Sequence, residues 1–332
     1  MKILVTMPSG VTRDTFFPER VIKELESIGE VSFNNLGRQF AENELREALI
    51  DKDICITGWG SPELTAFAIE KAEKLKVLLH TGGSVANVAS KELYDKGVRV
   101  LSGNKLYAES VAEGVIAYIL CSLRDLIYYN NEVKEGRWRD GNFKNEGLLD
   151  QSIGIVGFGA VSRHLLELLK PFRCKVKVFS NSASKEKLEA LGVEKAELQE
   201  IFRECKIISL HSPYRKDTHH MINDDLLSLI QPGGLLINTA RGGIVDEEAL
   251  IRALEKDTFK AVLDVYEQEP LASDSKLRTL KNVITIPHMA GPTVDRRAKV
   301  TEELIRSLEK LSKGEELPLE IKKEYSSYMT KE

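Results

Sequence analysis

The sequence predicts an α/β protein made of two doubly wound units, each a parallel sheet with helices on its faces. Three observations predict it. Short β-branched runs alternate with amphipathic segments along the whole chain. A Gly-Phe-Gly turn joins one of those runs to a helix-like segment. Polar residues stand just after several of the later runs. Strands alternating with helical patterns are the signature of parallel sheets with helical crossovers.

The first unit reads as strands Ile3–Thr6, Val31–Phe33, Ile54–Thr57, Val77–His80 and Val98–Leu101, with amphipathic helices over Pro18–Ile28, Glu42–Ile50 and Ala66–Leu75. A long apolar helix, Ser110–Leu126, follows. The second unit reads as strands Ile153–Val156, Val176–Phe179, Ile207–Leu210, Leu235–Asn238, Ala261–Val265 and Val283–Ile286. The closing helix, Asp295–Leu311, comes after that sheet is complete, so it is expected to return to the first unit. The expected division is therefore 1–104 plus 290–332 against 105–289. A site is expected at the carboxyl ends of the strands, in the cleft between the units.

Composition narrows the classes. The 332 residues suffice for two buried cores, and a net charge of −4 offers no basic field to nucleic acid. The N-terminal Met1–Thr6 reads as a strand and not a signal peptide. No uninterrupted apolar run approaches the roughly 18 residues of a membrane span. Cys55, Cys121, Cys174 and Cys205 show neither metal-ligand spacing nor a disulfide framework, which fits a reducing cytoplasm. Cys55 and Cys121 read as core residues. His219 and His220 are adjacent in a polar loop, share no face and read as loop residues; no metal is expected.

The glycine turn carries the first chemistry. The run Ile153–Val156 ends in Gly157-Phe158-Gly159, and a helical pattern starts at Ala160. Gly157 suits a tight turn, Gly159 a close approach of pyrophosphate to backbone, and the helix start offers free N–H groups to phosphate. Ser162 stands where a third glycine would serve helix–strand packing. The next strand ends in Ser180-Asn181-Ser182, with Lys185 and Lys187 behind, where a dinucleotide fold usually has a carboxylate about 20 residues on. With no carboxylate to repel a 2′-phosphate, NADP is expected to be accepted and favoured, with NAD the alternative. Arg241, Glu269 and His288 each follow a strand-like run of the second unit, where a doubly wound sheet gathers its site.

Gly154–Val161, His211-Ser212-Pro213 with Thr218, Asn238–Val245 with Asp246, Asp264–Pro270, Pro287-His288 with Gly291, and Ser110–Glu113 occur in one order along nearly the whole chain. In these motifs the sequence resembles the D-isomer-specific 2-hydroxyacid dehydrogenase family. The resemblance implies a flavodoxin-like substrate domain and a Rossmann dinucleotide-binding domain. It implies an NAD(P)-dependent oxidoreductase acting on a small 2-oxo or 2-hydroxy acid, glyoxylate or hydroxypyruvate among them, and a homodimer formed through the dinucleotide domain. Within it, Arg241 binds the substrate carboxylate and polarises the carbonyl, His288 exchanges the proton, and Glu269 fixes its tautomer and favours the imidazolium. Cofactor contacts are expected at Gly157, Gly159, Ala160, Val161, Ser162, Ser180, Asn181, Ser182, His211, Ser212, Pro213, Thr218, Thr239, Ala240, Asp264, His288, Gly291 and Val111.

The first unit is expected to hold the substrate carboxylate. Leu79–Asn87 matches the family's glycine-rich loop, with Gly83 and Ser84 as amide donors. Ala86 and Ala89 stand where acidic residues are common, and Tyr107 where asparagine is common, so the substrate is less defined than the reaction. Phosphoglycerate is disfavoured because Gly58-Trp59-Gly60-Ser61-Pro62 holds no Arg or Lys, and the tail is short for an appended regulatory domain. Glu269 argues against formate dehydrogenases, which pair the histidine with glutamine. Trp59 is expected to wall the pocket for a short side chain. The competing class is an NAD(H)-sensing corepressor that uses the same fold as a binding module.

Overall fold

The computed structural model describes residues 1–138, 145–326 and 329–330. Two compact units are present, Met1–Tyr107 with Pro292–Glu332, and Ala108–Gly291. Along the chain run β1 (Lys2–Pro8), α1 (Val11–Phe16), α2 (Glu19–Ile28), β2 (Glu30–Asn34), α3 (Glu42–Ala48), β3 (Ile54–Thr57), β4 (Val77–His80), α4 (Lys91–Asp95), β5 (Arg99–Ser102) and α5 (Asn104–Leu123). Then come α6 (Leu126–Lys134), β6 (Ser152–Val156), α7 (Ala160–Leu169), β7 (Lys175–Phe179), α8 (Lys185–Glu189), β8 (Glu194–Lys195), α9 (Leu198–Glu204) and β9 (Ile207–Leu210). The chain continues through α10 (Asp224–Leu227), β10 (Leu235–Asn238), α11 (Glu247–Leu254), β11 (Lys260–Leu263), β12 (Val283–Thr285), α12 (Val294–Ser312) and α13 (Lys323–Ser326).

The first unit is a five-stranded sheet in the order β2-β1-β3-β4-β5. Every pairing is parallel. Its strands are nearly continuous apolar runs because helices cover both faces. In α2, Val21 and Leu25 lie one turn apart and are fully buried. In α12, Val300, Leu304, Ile305 and Leu308 repeat at helical spacing and pack into one core with Ile3, Val5, Ile56 and Leu79.

The second unit is a seven-stranded parallel sheet in the order β12-β11-β10-β9-β6-β7-β8. The order reverses between β6 and β9, and such a switch point leaves a crevice at the carboxyl ends of the two strands. Gly154 in β6 has a packing reason: a Cβ there would lie 2.2 Å from Cγ2 of Ile201 in α9. The helix α5 is apolar and long enough to cross a membrane by length and composition. Its Ala112, Val115 and Ile119 are instead fully buried against Ile153 and Leu165.

Three local expectations change. The helix expected over Ala66–Leu75 is a series of turns. Its backbone bonds alternate between Ile69 N–H to Thr65 O and three-residue closures such as Glu70 to Phe67 and Ala72 to Ile69, so no α-helical ladder propagates. The helix expected over Ser110–Leu126 begins earlier and breaks at Asp125. That residue takes φ 52° and turns its carboxylate to Lys260. The two-residue strand β8 is too short for its pattern to be read in sequence. Cys55 is fully buried, whereas Cys121 is only half-buried.

Candidate active site

Strands β10, β11 and β12 are neighbours, with Asn238, Leu263 and Thr285 level at their carboxyl ends. Arg241, Glu269 and His288 follow those ends, so one edge of the sheet carries all three. His288 Nδ1 lies 2.6 Å from Glu269 Oε2, and both side chains are partly open to solvent, at 44% and 34%. Glu269 is itself anchored, since Oε1 accepts the Tyr266 N–H at 3.0 Å. His288 has φ 50°, in the left-handed region that few residues other than glycine adopt. Asp264, only 1% exposed, holds the His288 loop in that shape. Its carboxylate accepts the N–H groups of Met289 at 2.7 Å and Ala290 at 2.9 Å, and its carbonyl accepts that of His288 at 2.9 Å.

The Arg241 loop is set by Asn238. Its side-chain oxygen accepts the Ala240 N–H at 3.1 Å, and its amide donates to the Arg241 carbonyl at 3.0 Å. Gly242 then lets this loop lie directly on the next one. A Cβ at Gly242 would sit 1.8 Å from the Tyr266 carbonyl carbon and 2.3 Å from Glu267 N. The Tyr266 hydroxyl lies 2.9 Å from Leu263 O and 3.0 Å from Ile286 O, and accepts the Ile286 N–H at 2.9 Å. Sequence reasoning gives no separate role to Asn238, Gly242 or Tyr266. Their only sequence signal is that they lie inside the runs that carry Arg241 and Glu269.

At the switch point, Gly157 has φ 101°. A Cβ there would meet Ser212 N at 2.7 Å and His211 C at 2.8 Å, so the residue serves both the turn and the contact with the loop after β9. Gly159 faces open space, with nothing within 4 Å of the point where a Cβ would stand. The helix α7 starts there without a side-chain cap. Buried Thr239 has a hydroxyl with no hydrogen-bond partner among the described residues. Positive-φ glycine, open backbone and an uncapped helix start together fit a dinucleotide phosphate group, and the orphaned Thr239 hydroxyl two strands along leaves a polar atom for another part of a ligand.

The other expected contacts divide into two sets. Asn181 and Ser182 are exposed just past β7, and Ala160, Val161, Ala240, Gly291 and Val111 are half-buried. Four side chains instead spend their hydrogen bonds on the protein. Ser162 is fully buried and donates to Gly157 O at 2.8 Å. Thr218 donates to Pro213 O at 2.7 Å, and Ser180 Oγ accepts from Ala183 N at 3.1 Å. The Asp264 carboxylate holds the His288 loop. His211 contacts the Ser209 hydroxyl at 2.8 Å, and burial pushes its imidazole down to about 4.

In the first unit, Gly83 and Ser84 follow β4. Ser102 Oγ takes up the carbonyls of Gly82 at 3.1 Å and Gly83 at 2.5 Å. Among the described residues the N–H groups of Gly83 and Ser84 have no acceptor, while Ser84 Oγ donates to Thr330 O at 2.7 Å. Two successive half-buried amides without acceptors can hold a carboxylate. Trp59, 41% exposed, packs edge-on to Phe16 and Tyr107, with ring centroids 5.2 and 6.1 Å away. Arg297 of α12 stands over the Trp59 ring at 4.9 Å. The loop 58–62 holds no cation of its own, as the sequence reads, but the closing helix supplies one beside it. No local pattern reveals a contact so distant in sequence.

His219 and His220 lie in a turn, as read, but the premise that they share no face is corrected. Their rings stack at 3.8 Å, because His220 adopts φ 49° and so turns its ring back beside its neighbour.

Residues 116–290 match the family model described as D-isomer specific 2-hydroxyacid dehydrogenase, NAD binding domain. The chain is 31% identical over 317 residues to a D-3-phosphoglycerate dehydrogenase of Methanocaldococcus jannaschii, covering 95% of this chain but only 58% of that protein. It is 30% identical to a glyoxylate reductase of Thermococcus litoralis, covering 90% of this chain and 92% of that one. Among solved structures, an acyclic imino acid reductase in complex with NADPH and D-Arg is similar with a TM-score of 0.81. That similarity has 27% identity and covers 97% of this chain and all of the other.

Proposed function

The chain belongs to the D-isomer-specific 2-hydroxyacid dehydrogenase family and is an NAD-dependent oxidoreductase, and from that premise we propose that it reduces short 2-oxo acids to D-2-hydroxy acids. Glyoxylate and hydroxypyruvate are the substrates this reading favours, and relatives at 30% identity carry the names glyoxylate reductase and hydroxypyruvate reductase. The 2.6 Å contact between His288 and Glu269 carries it.

Because Glu269 accepts at Nδ1, the other ring nitrogen, Nε2, is left to exchange a proton with the substrate oxygen. Asp264 and Tyr266 hold the histidine and the glutamate in place, so neither is reoriented during turnover. Arg241 pairs with the planar carboxylate and draws electron density from the carbonyl. Within the first unit, the successive amides of Gly83 and Ser84 are the donors this reading gives to a substrate carboxylate. When bound, the nicotinamide supplies the hydride that reduces the carbonyl carbon. His288 Nε2 gives the proton to the oxygen as that carbon is reduced, and takes it back in the reverse direction.

NADPH is the favoured cofactor in this reading. The exposed Asn181 and Ser182 put no carboxylate past β7, where one would repel a 2′-phosphate. A cytoplasmic homodimer completes it, supported by the exposed Leu126, Ile127, Tyr128 and Val133 of α6. The test is a panel of 2-oxo acids followed by loss of NADPH and NADH absorbance. Turnover of glyoxylate or hydroxypyruvate, faster with NADPH, is expected. Intact cofactor binding with no turnover on any acid would overturn the proposal in favour of a binding module.

A further inference from the structure

We propose that Arg297 is a specificity-determining residue, and that it selects 2-oxo acids whose side chain ends in an oxygen acceptor, a second carboxylate or a hydroxyl. This rests on the reading that Gly83 and Ser84 hold the substrate carboxylate, and goes beyond it by assigning the other end of the substrate. All the groups involved lie within the first unit.

A chain of ring contacts leads away from the carboxylate loop. A Cβ at Gly83 would lie 3.6 Å from Cδ1 of Tyr107, so the Tyr107 ring stands beside the amide pair. Tyr107 meets Trp59 edge-on, and the Trp59 ring carries the Arg297 guanidinium at 4.9 Å. The same guanidinium lies 5.7 Å from the Phe16 ring. The order is amide pair, tyrosine, tryptophan, guanidinium. An acid whose carboxylate lies at the amide pair and whose side chain runs along these rings would present its tip to the guanidinium.

The cation is available for a ligand. Arg297 is half-buried, and among the described residues its side-chain hydrogen bonds go to a carbonyl and a hydroxyl and not to a carboxylate. Its protein hydrogen bonds are long, 3.4 Å from Nε to Pro292 O and 3.3 Å from Nη1 to Thr15 Oγ1. Stacking on aromatic faces satisfies its charge only in part and leaves the planar donor edge open. A guanidinium held in this way, and partly shielded from water, is a site for an oxygen acceptor.

The test compares kcat/KM for four acids in the intact enzyme: glyoxylate with no side chain, 2-oxobutyrate ending in methyl, hydroxypyruvate ending in hydroxyl, and 2-oxosuccinate ending in carboxylate. The native enzyme is expected to favour the hydroxyl- or carboxylate-tipped acid over 2-oxobutyrate at least tenfold. In Arg297→Gln that ratio is expected to fall at least tenfold. Arg297→Lys keeps a charge on the rings but loses the fork, and is expected to fall in between. Ratios within one variant are independent of how much of it folds. A native preference for 2-oxobutyrate, or equal losses on all four acids in both variants, would overturn the proposal while leaving the proposed reaction standing. No turnover of any acid by the native enzyme would remove both.

Discussion

Each sheet places a histidine near the carboxyl end of a strand, and the two are held in opposite ways. His80 ends β4, is 4% exposed and contacts the Thr57 hydroxyl at 2.9 Å. Burial pushes its imidazole down to about 4. Its ring lies so close under the next loop that a Cβ at Gly82 would be 2.2 Å from Nε2. His288 lies three residues past β12, partly open, with a carboxylate at Nδ1 and its backbone in the left-handed region. A histidine sealed against a hydroxyl is a neutral packing group. A histidine held by a carboxylate at an open edge is the one to which the proposed function gives the proton transfer. The residue type is shared, and the partner and the access to solvent decide the role.

The strongest way to break this comparison is to exchange the proton carrier. His288→Gln keeps a hydrogen bond to Glu269 but cannot transfer a proton, so kcat is expected to fall by about 10²–10⁴ with cofactor binding retained. Single-turnover kinetics together with cofactor titration check it. Equal losses in turnover and cofactor binding would instead make His288 a structural residue like His80.

The next largest effect is expected at Gly242. Its Cβ would sit 1.8 Å from the Tyr266 carbonyl carbon, and backbone cannot yield as a side-chain tip can. In Gly242→Ala the Tyr266 N–H that anchors Glu269 has to move. A displacement of that kind costs about 10²-fold in kcat/KM. Steady-state kinetics at unchanged secondary-structure content check it, and activity near the native level would separate the Glu269 anchor from the Arg241 loop.

The doubly wound plan, the glycine turn and the three polar residues after β10, β11 and β12 are legible in sequence, because each is a local pattern. A strand that alternates with a helix announces itself, and so does a Gly-x-Gly turn between the two. What is not legible depends on partners far apart in the chain. The 66–75 segment has helical periodicity but closes as turns, and Asp125 breaks a run that is apolar throughout. Ser162 and Asp264 are expected from sequence to face a cofactor, yet their side chains are turned inward to Gly157 and to the His288 loop. Arg297 reaches Trp59 from the far end of the chain, so the Trp59 loop gives no sign that a cation stands beside it.

Buried His80 and half-buried His211 sharpen the comparison through acid. His80 and His211 stay neutral in the folded chain down to about 4, while unfolded histidine takes a proton near 6.5. Between those values the unfolded chain binds more protons, so stability falls as the pH drops. Each histidine contributes about 1.4 kcal/mol per pH unit, with the contribution complete above about 6.5 and no further loss below about 4. Urea midpoints at several pH values between those limits check it. His80→Asn is expected to flatten the slope by the share of one histidine; an unchanged slope would mean that burial at β4 is not what the acid reports.

The smallest effect is expected at Ser162, and it tests the glycine turn of the second sheet without touching its open face. The hydroxyl is fully buried and donates to Gly157 O at 2.8 Å, tying the first turn of α7 to the turn before it. Ser162→Ala removes the donor, keeps the helix propensity favourable and leaves the Gly157 carbonyl without that partner. A net cost of about 1 kcal/mol follows. Ser162→Gly loses the same bond and adds about 1 kcal/mol of helix propensity, reduced toward the helix end. Thermal melts of both variants, with and without NADPH, check the order native, alanine, glycine. If the alanine variant melts with the native protein but binds NADPH more weakly, the hydroxyl belongs to the cofactor and not to the turn.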